Sequence, residues 1–167
     1  MINGFTREEI KNSVEYQWRT HQAKSLFIVF GIICVPSLFM TFFYAMANPD
    51  YLLVVFLSSA GCLVFFLVSF SSIALFYFLK ARYFLKNYKS FDAYEVVLER
   101  VSTSWNYRGC IYYSVDIKGP NFNKSVDTNP YFSSGFLSKF LPEDYNNRTV
   151  IGLYDENQNK FYIVRKK

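Results

Sequence analysis

Charged residues are missing from two long stretches in the first half of the chain. There is none in the 23 positions of 25–47 and none in the 29 positions of 51–79. Each stretch exceeds the roughly 20 apolar residues that a helix needs to cross a bilayer. Only residues 48–50, Asn-Pro-Asp, separate them, which is typical of a tight turn. The sequence therefore predicts a transmembrane hairpin, because the short remaining chain could not enclose two buried helices of a soluble bundle.

A cleavable signal peptide is the competing interpretation of the first stretch. Residues 45–47, Ala-Met-Ala, have the small-x-small form of a cleavage site. The apolar run is nevertheless longer than the ~7–15 residues of a signal-peptide core, and a long amphipathic segment precedes it. We therefore expect the first span to be retained.

Groups that commonly carry catalysis are scarce. The chain has one histidine, His21, and three cysteines without disulfide-framework or zinc-site spacing, and it has neither a glycine-rich phosphate loop nor a nucleophile elbow. The acidic pairs 143–144 and 155–156 adjoin turn residues and are expected to be solvated. Neither span contains an Asp, Glu, Lys, Arg or His, so transport is not expected. We expect no enzymatic activity, cofactor or metal; the alternative is a lipid-headgroup enzyme using His21 and the 143–144 pair.

An amphipathic helix is predicted before the first span, within residues 1–24. Thr6 and Glu9 have the spacing of a capping box, and apolar residues recur every four positions from Ile10 to Trp18. We expect this helix to lie at the membrane surface with Trp18 at headgroup depth. Packing of the same face against the C-terminal domain is the alternative.

Basic residues flank both spans and predict an orientation. The connector 80–92 interleaves lysine and arginine with aromatic residues, whereas the turn has only Asp50. Under the positive-inside rule both termini are expected in the cytoplasm. We expect the cations to contact anionic headgroups rather than nucleic acid. The predicted membrane-interface residues are Trp18, Arg19, Lys24, Lys80, Arg82, Lys86 and Lys89.

Small residues recur at four-residue spacing within the spans, where they permit close approach of two helices. The predicted packing residues are Ser37, Thr41, Ala45, Ser58 and Cys62. Packing of the hairpin on itself is the simplest use of this pattern, and a homo-oligomer is the alternative.

The C-terminal region, residues 93–167, has a hydrophobic period of two, which is typical of half-buried strands. Five strands are predicted, with a short amphipathic helix between the third and the fourth. We expect an α+β protein in which this region forms a small, partly open β-barrel-like domain. Its aromatic residues are predicted to form a partner surface or, alternatively, to fill the barrel core; they are Trp105, Tyr107, Tyr131, Phe132, Phe136 and Phe140.

The same region also resembles a known family. The run TVIGLYDENQNKFYIVRK follows YEVVLERV and IYYSVDI. Val150, Gly152 and Tyr154 occupy the strand part of the motif V-x-V-x-Y-x-P-x-N-P and Asn157 serves as its turn asparagine, while Glu156 and Asn159 stand instead of its prolines. Over residues 93–165 the chain resembles an uncharacterised family of bacterial membrane proteins with one or two spanning helices and a small β-domain. The resemblance implies that fold and a multi-pass protein of a bacterial inner membrane, but no catalytic residues.

The leading functional hypothesis is a non-enzymatic inner-membrane protein whose cytoplasmic β-domain binds a protein partner or a small ligand. The alternative is a membrane immunity or defence protein, either an immunity factor against a pore-forming toxin or an effector whose β-domain senses a signal. Small size, a bare hairpin and the scarcity of catalytic groups fit both hypotheses.

Overall fold

A computed structural model describes residues 4–101, 110–111, 113–118, 123–132 and 145–167. Three helices come first, and they are α1 (Arg7–Lys11), α2 (Val14–Ala47) and α3 (Leu52–Asn87). The strands are β1 (Asp92–Val97), β2 (Glu99–Arg100), β3 (Cys110–Ile111), β4 (Tyr113–Lys118), β5 (Asn123–Asp127), β6 (Tyr131–Phe132), β7 (Thr149–Asp155) and β8 (Lys160–Lys166). Two long helices followed by a sheet region give the predicted α+β fold.

Helices α2 and α3 form the predicted helical hairpin. They contain 34 and 36 residues, which at 1.5 Å per residue gives lengths of about 51 and 54 Å. Both are long and apolar enough to span a membrane. A 3-10 turn, Pro49–Tyr51, joins them. Among the described side chains of residues 26–80, only Cys34 and Ala74 are buried, so the single hairpin leaves most of its apolar surface uncovered.

The N-terminal segment differs from the predicted amphipathic helix of residues 1–24. Helix α1 has only five residues, although it has the predicted capping box between Thr6 and Glu9. Ser13 then caps α2, which continues without interruption into the apolar segment. The side chains of Ile10 and Trp18 are buried in the protein. The amphipathic face therefore packs against the C-terminal region, which is the alternative given above. That region supplies the apolar contacts that lipid was expected to supply.

Two three-stranded antiparallel sheets make up most of the C-terminal region, in the orders β1-β7-β8 and β2-β4-β5, and a short ladder pairs β3 with β6. Leu98 alone separates β1 from β2. Its N–H donates to the Arg148 carbonyl (3.1 Å) and its carbonyl accepts from the Asn147 N–H (2.8 Å). One segment thus passes from the first sheet into the second. In the part of the chain that is described, neither sheet closes into a barrel, so the predicted five-stranded barrel is present only as open sheets.

Strand β8 is buried on both faces because its side chains alternate between two apolar clusters. Phe161 and Ile163 belong to a cluster that both sheets share, while Tyr162 and Val164 belong to a second cluster with the helical segments. The helical contributors to that second cluster include Phe5, Ile10, Phe84 and Tyr88. We name the parts of α2 and α3 outside the apolar segments, residues 14–24 and 80–87, the overhanging ends. The first sheet packs on helical side chains with one face and on the second sheet with the other, while Trp18 of α2 reaches the cluster that the sheets share.

The predicted period of two is confirmed in β4, where Tyr113, Val115 and Ile117 are buried and Asp116 and Lys118 are exposed. The predicted short helix falls outside the described residues except at Phe132, whose backbone lies in β6. Four of the predicted partner-surface residues also fall outside the described residues, and they are Trp105, Tyr107, Phe136 and Phe140.

Candidate functional site

A buried ion pair joins the first turns of α2 to the sheet region. The Glu15 side chain is fully buried, and its Oε1 lies 2.6 Å from the Nε of Arg19. Asn129 Nδ2 donates to the same oxygen (3.0 Å), and the Tyr131 hydroxyl donates to Oε2 (2.8 Å). These four residues are named the buried junction. Each carboxylate oxygen has a donor, which is what a charge removed from water requires.

Aromatic contacts extend the buried junction to α3. The Trp18 ring meets the Tyr131 ring edge-on at 5.3 Å and the Tyr77 ring at 5.8 Å. Burial, followed by the charge of Glu15, raises the pKa of the Tyr131 hydroxyl well above its usual value. Tyr131 therefore stays protonated, and its hydroxyl donates a hydrogen bond to the carboxylate. The two long helices and β6 are held together at one point.

A second polar network is centred on Asp155, a fully buried residue at the end of β7. Its Oδ1 accepts from the backbone N–H groups of Asn157 (3.0 Å) and Gln158 (3.2 Å). Its Oδ2 accepts from the hydroxyls of Tyr83 and Tyr162, each at 3.3 Å. We name this set the Asp155 network. It fixes the β7–β8 turn and ties that turn to the C-terminal part of α3.

The two networks meet through Arg19 and Tyr162. The Arg19 guanidinium carbon lies 5.8 Å from the Tyr162 ring centroid, within the range of a cation–π contact. Burial, followed by the charge of Asp155, raises the pKa of the Tyr162 hydroxyl. Both helix ends are thus fixed to the sheets by buried charges rather than by apolar contact alone.

These contacts change the predicted membrane-interface set. Trp18 and Arg19 were expected beside lipid, but both are buried because their partners are protein groups. Lys80 is half-buried, with its Nζ 3.5 Å from Gln158 Oε1. The remaining four predicted interface cations are exposed, and they are Lys24, Arg82, Lys86 and Lys89.

The predicted partner surface also changes at Tyr131. Its side chain is fully buried, and its hydroxyl is needed by Glu15. A residue in this position contributes to the core, which is the alternative role that the sequence left open for the aromatic set.

The exposed cations of α3 are joined by one from α1. Arg7 and the row Arg82, Lys86 and Lys89 surround a recess of about 390 Å³ that Leu85 and Tyr88 also line. We name it the basic recess. Among the described residues, no carboxylate lies within ion-pair distance of these four cations. The positive charge of the recess is therefore directed to solvent or to a ligand.

An open groove of about 800 Å³ adjoins the basic recess. It lies between the N-terminal segment, the end of α3 and β1, and Tyr88 and Lys89 line both the groove and the recess. Its apolar lining includes Phe5, Phe91 and Leu153. In the described part of the chain β1 pairs only with β7, so one edge of β1 has no partner strand. We name this the β1 groove.

The predicted packing residues of the spans line two recesses bounded by both helices. Ser37, Thr41, Ser58 and Cys62 line one of about 270 Å³, and Thr41 and Ala45 line another of about 420 Å³. They therefore lie on the facing sides of α2 and α3. Ser37, Ser58 and Cys62 are exposed in the single chain.

Neither a metal site nor a known relative emerges from the described chain. No group of three or more His, Cys, Asp or Glu side chains there is placed to hold a metal ion. The expectations of no cofactor and no enzymatic activity stay predictions. No family model, curated protein or solved structure matches the chain, so the resemblance of residues 93–165 rests on its quoted motif alone.

Sequence reasoning missed Glu15 and Asn129 of the buried junction and Arg7 of the basic recess. Its expectation that the acidic pair 155–156 is solvated is wrong for Asp155, which is fully buried because the β7–β8 turn and two tyrosine hydroxyls donate to it. Glu15 precedes Arg19 by four positions, a helical ion-pair spacing that was a usable signal. Its bonds to Asn129 and Tyr131 cross more than 110 positions, and no local pattern indicates them. Arg7 joins the basic recess only because α1 folds back onto α3.

Proposed function

We propose that the protein is a two-span membrane protein whose β-domain lies in the cytoplasm and binds a partner without catalysing a reaction. The β1 groove is the observation that supports binding best. Lengths and compositions of α2 and α3 support the membrane location. The basic residues that flank the spans support cytoplasmic termini in a bacterial inner membrane.

The partner that best fits the β1 groove is an extended segment of another protein. An unpaired strand edge offers backbone hydrogen bonds to such a segment, and neighbouring apolar recesses accept alternate side chains. Phe5, Phe91 and Leu153 supply apolar surface beside β1, and Val97 on the same strand is 53% exposed. Acidic side chains on β1, Asp92 and Glu95, favour a segment with basic residues.

Site-specific photocrosslinking in the full-length protein tests this proposal. A photoreactive residue in place of Asp92 should give one defined crosslinked product, because Asp92 is exposed and lines the β1 groove. Filling the groove with Ala93→Arg should remove the product. The matched variant Asp127→Arg adds the same side chain at an exposed position of β5, in the second sheet, and should leave the product unchanged. A product that survives Ala93→Arg, or no product at all, contradicts partner binding in this groove.

Cysteine accessibility tests the membrane location and the orientation. In a chain whose native cysteines are replaced, a cysteine at Tyr51 should react only with reagent added outside the inner membrane. A cysteine at Glu156, in the β7–β8 turn, should react only after the membrane is permeabilised. Labelling of the Glu156 position in intact cells would place the β-domain on the wrong side and overturn the proposal.

A barrel-like arrangement of the β-domain is part of the same proposal. The continuous path from β1 through Leu98 into β2 supports it, because that path joins the two sheets at one edge. The isolated parallel bridge between Thr128 and Phe161 supports it at the opposite edge, because the bridge links the end of β5 to β8. Protection of the Phe161 amide from hydrogen exchange, lost on deletion of the Thr128 side chain, is the expected signature.

A second candidate is an effector whose β-domain senses a signal and passes it to the hairpin. The buried junction favours it, because a displacement of Tyr131 must move Glu15 and thus α2. Under this proposal Tyr131→Phe leaves crosslinking at Asp92 intact but abolishes any response of the spans. Unchanged reactivity of the hairpin cysteines Cys34 and Cys62, with and without the partner, would count against it.

A further inference from the structure

We propose that the basic recess is a binding site for a lipid whose headgroup ends in a phosphomonoester. The proposal rests on the membrane location proposed above. It goes beyond general attraction to anionic lipid, because the cations come from two separate parts of the chain and converge on one cavity. Arg7 belongs to α1, and Arg82, Lys86 and Lys89 belong to the end of α3 and the 3-10 turn that follows it.

The charge of the recess matches this headgroup. No described carboxylate neutralises the four cations. Glu9 of α1 does not pair with a cation of the recess, because its carboxylate pairs with Arg165 at 2.8 Å. A phosphomonoester carries about −1.5 to −2 charges near neutral pH, as phosphorylated side chains do. It can also accept paired hydrogen bonds from arginine guanidinium groups.

The position of the recess also fits a lipid rather than a free anion. Arg82 follows the last residue of the apolar segment, Leu79, by three positions, or about 4.5 Å along the helix axis, and Lys86 by about 10.5 Å. Cations within this range of the hydrocarbon reach phosphate groups at the surface, because their long side chains bend toward the interface. Leu85, which also lines the recess, is half-buried between them.

Helix α1 is held in place, so Arg7 is not a freely moving charge. Ile10 is fully buried and Phe5 is 8% exposed, and both pack in one cluster with Phe84, Tyr88 and Phe91. The ion pair between Glu9 and Arg165 anchors the outer side of α1 to β8. The recess therefore exists before the ligand arrives, which lowers the entropy cost of binding.

Native mass spectrometry of the full-length protein in mild detergent tests the proposal. Phosphatidic acid should bind to the wild-type chain more tightly than phosphatidylglycerol, which carries only a phosphodiester. Arg7→Gln with Lys86→Gln should weaken phosphatidic acid binding by about 25-fold, at roughly fivefold per cation. The control Arg100→Gln with Lys118→Gln removes the same charge from two exposed positions in the second sheet and should leave binding unchanged.

Three outcomes overturn the inference. Equal affinity for the two lipids would show that the recess does not select a phosphomonoester. Equal weakening by both double variants would show that binding does not depend on the recess. Displacement of the lipid by soluble glycerol phosphate at the same concentration would assign the recess to a free anion. All three are measured on folded protein in detergent, so they leave the membrane location standing. The cytoplasmic orientation of the β-domain fails separately if the cysteine at Glu156 labels in intact cells.

Discussion

Each long helix has an apolar segment and an overhanging end, and the two parts satisfy their polar groups differently. In the apolar segments, hydroxyl groups bond to carbonyls of their own helix, as Ser37 does to Ile33 (2.7 Å) and Ser72 does to Val68 (2.7 Å). In the overhanging ends, polar groups bond across the fold, as Glu15 does to Tyr131. The apolar segments satisfy their hydroxyl groups within one helix, whereas the overhanging ends place buried charged groups against distant residues.

The difference teaches which part of the chain determines the tertiary structure. A helix that satisfies its own polar groups can stand in lipid with its side chains uncovered, as α2 and α3 do between residues 26 and 80. A buried charge cannot, so Glu15 and Asp155 require the sheets to be in place. We expect substitutions to be costly at the overhanging ends and mild in the apolar segments.

The largest effect is expected for Glu15→Ala. It leaves the Arg19 guanidinium buried without its partner, and loss of one member of a buried pair costs about 3–5 kcal/mol. Denaturant unfolding of the full-length protein in mild detergent measures the loss. Thr41→Val is the control, because the Thr41 hydroxyl bonds only to the Ser37 carbonyl of its own helix (2.8 Å). Comparable losses of stability for the two variants would show that the apolar segments and the overhanging ends do not differ in this way.

A second contrast uses glycine. A Cβ added at Gly152 in β7 would overlap the Phe161 ring and lie 2.6 Å from the Tyr162 carbonyl oxygen, whereas one added at Gly31 or Gly61 meets nothing within 4 Å. Gly152→Ala is expected to cost about 2 kcal/mol, in the range of overpacked cores. Gly31→Ala should cost nothing measurable in the same unfolding experiment. Normal stability of Gly152→Ala would show that β8 can move away from β7.

Sequence patterns predicted the features that depend on interactions between nearby residues. The capping box at Thr6, the alternation of Tyr113, Val115 and Ile117 and the hairpin around Asn157 all depend on residues a few positions apart. The role of Trp18 could not be predicted, because an amphipathic helix has one pattern whether its apolar face meets lipid or protein. Only the contact with Tyr131, which lies far along the chain, distinguishes the two.

The pH dependence of stability should report on the buried tyrosines. The pKa values of Tyr131 and Tyr162 are raised in the folded protein, mainly by burial. Above pH ~10 the unfolded chain loses these protons while the folded chain keeps them, so stability falls as pH rises, by up to about 1.4 kcal/mol per pH unit for each tyrosine. Thermal unfolding between pH 9 and 11 should show a shallower decline for Tyr162→Phe. Thr41→Val, which removes no tyrosine, should keep the wild-type slope.

The smallest effect is expected where the N-terminal segment meets the sheet at the surface. Hydrogen bonds from Thr6, together with the Arg165 guanidinium, hold the pKa of Glu9 below its ordinary value of 4.5. The stabilisation is therefore complete above that value and is lost as pH falls through the lower pKa of the folded state. Acidification should lower the hydrogen-exchange protection factors of α1, each referred to the intrinsic exchange rate at that pH, while the buried junction stays protected. Glu9→Gln should show the faster exchange already at neutral pH, and Glu8→Gln on the same helix should behave as wild type, because only Glu9 joins the cap to β8.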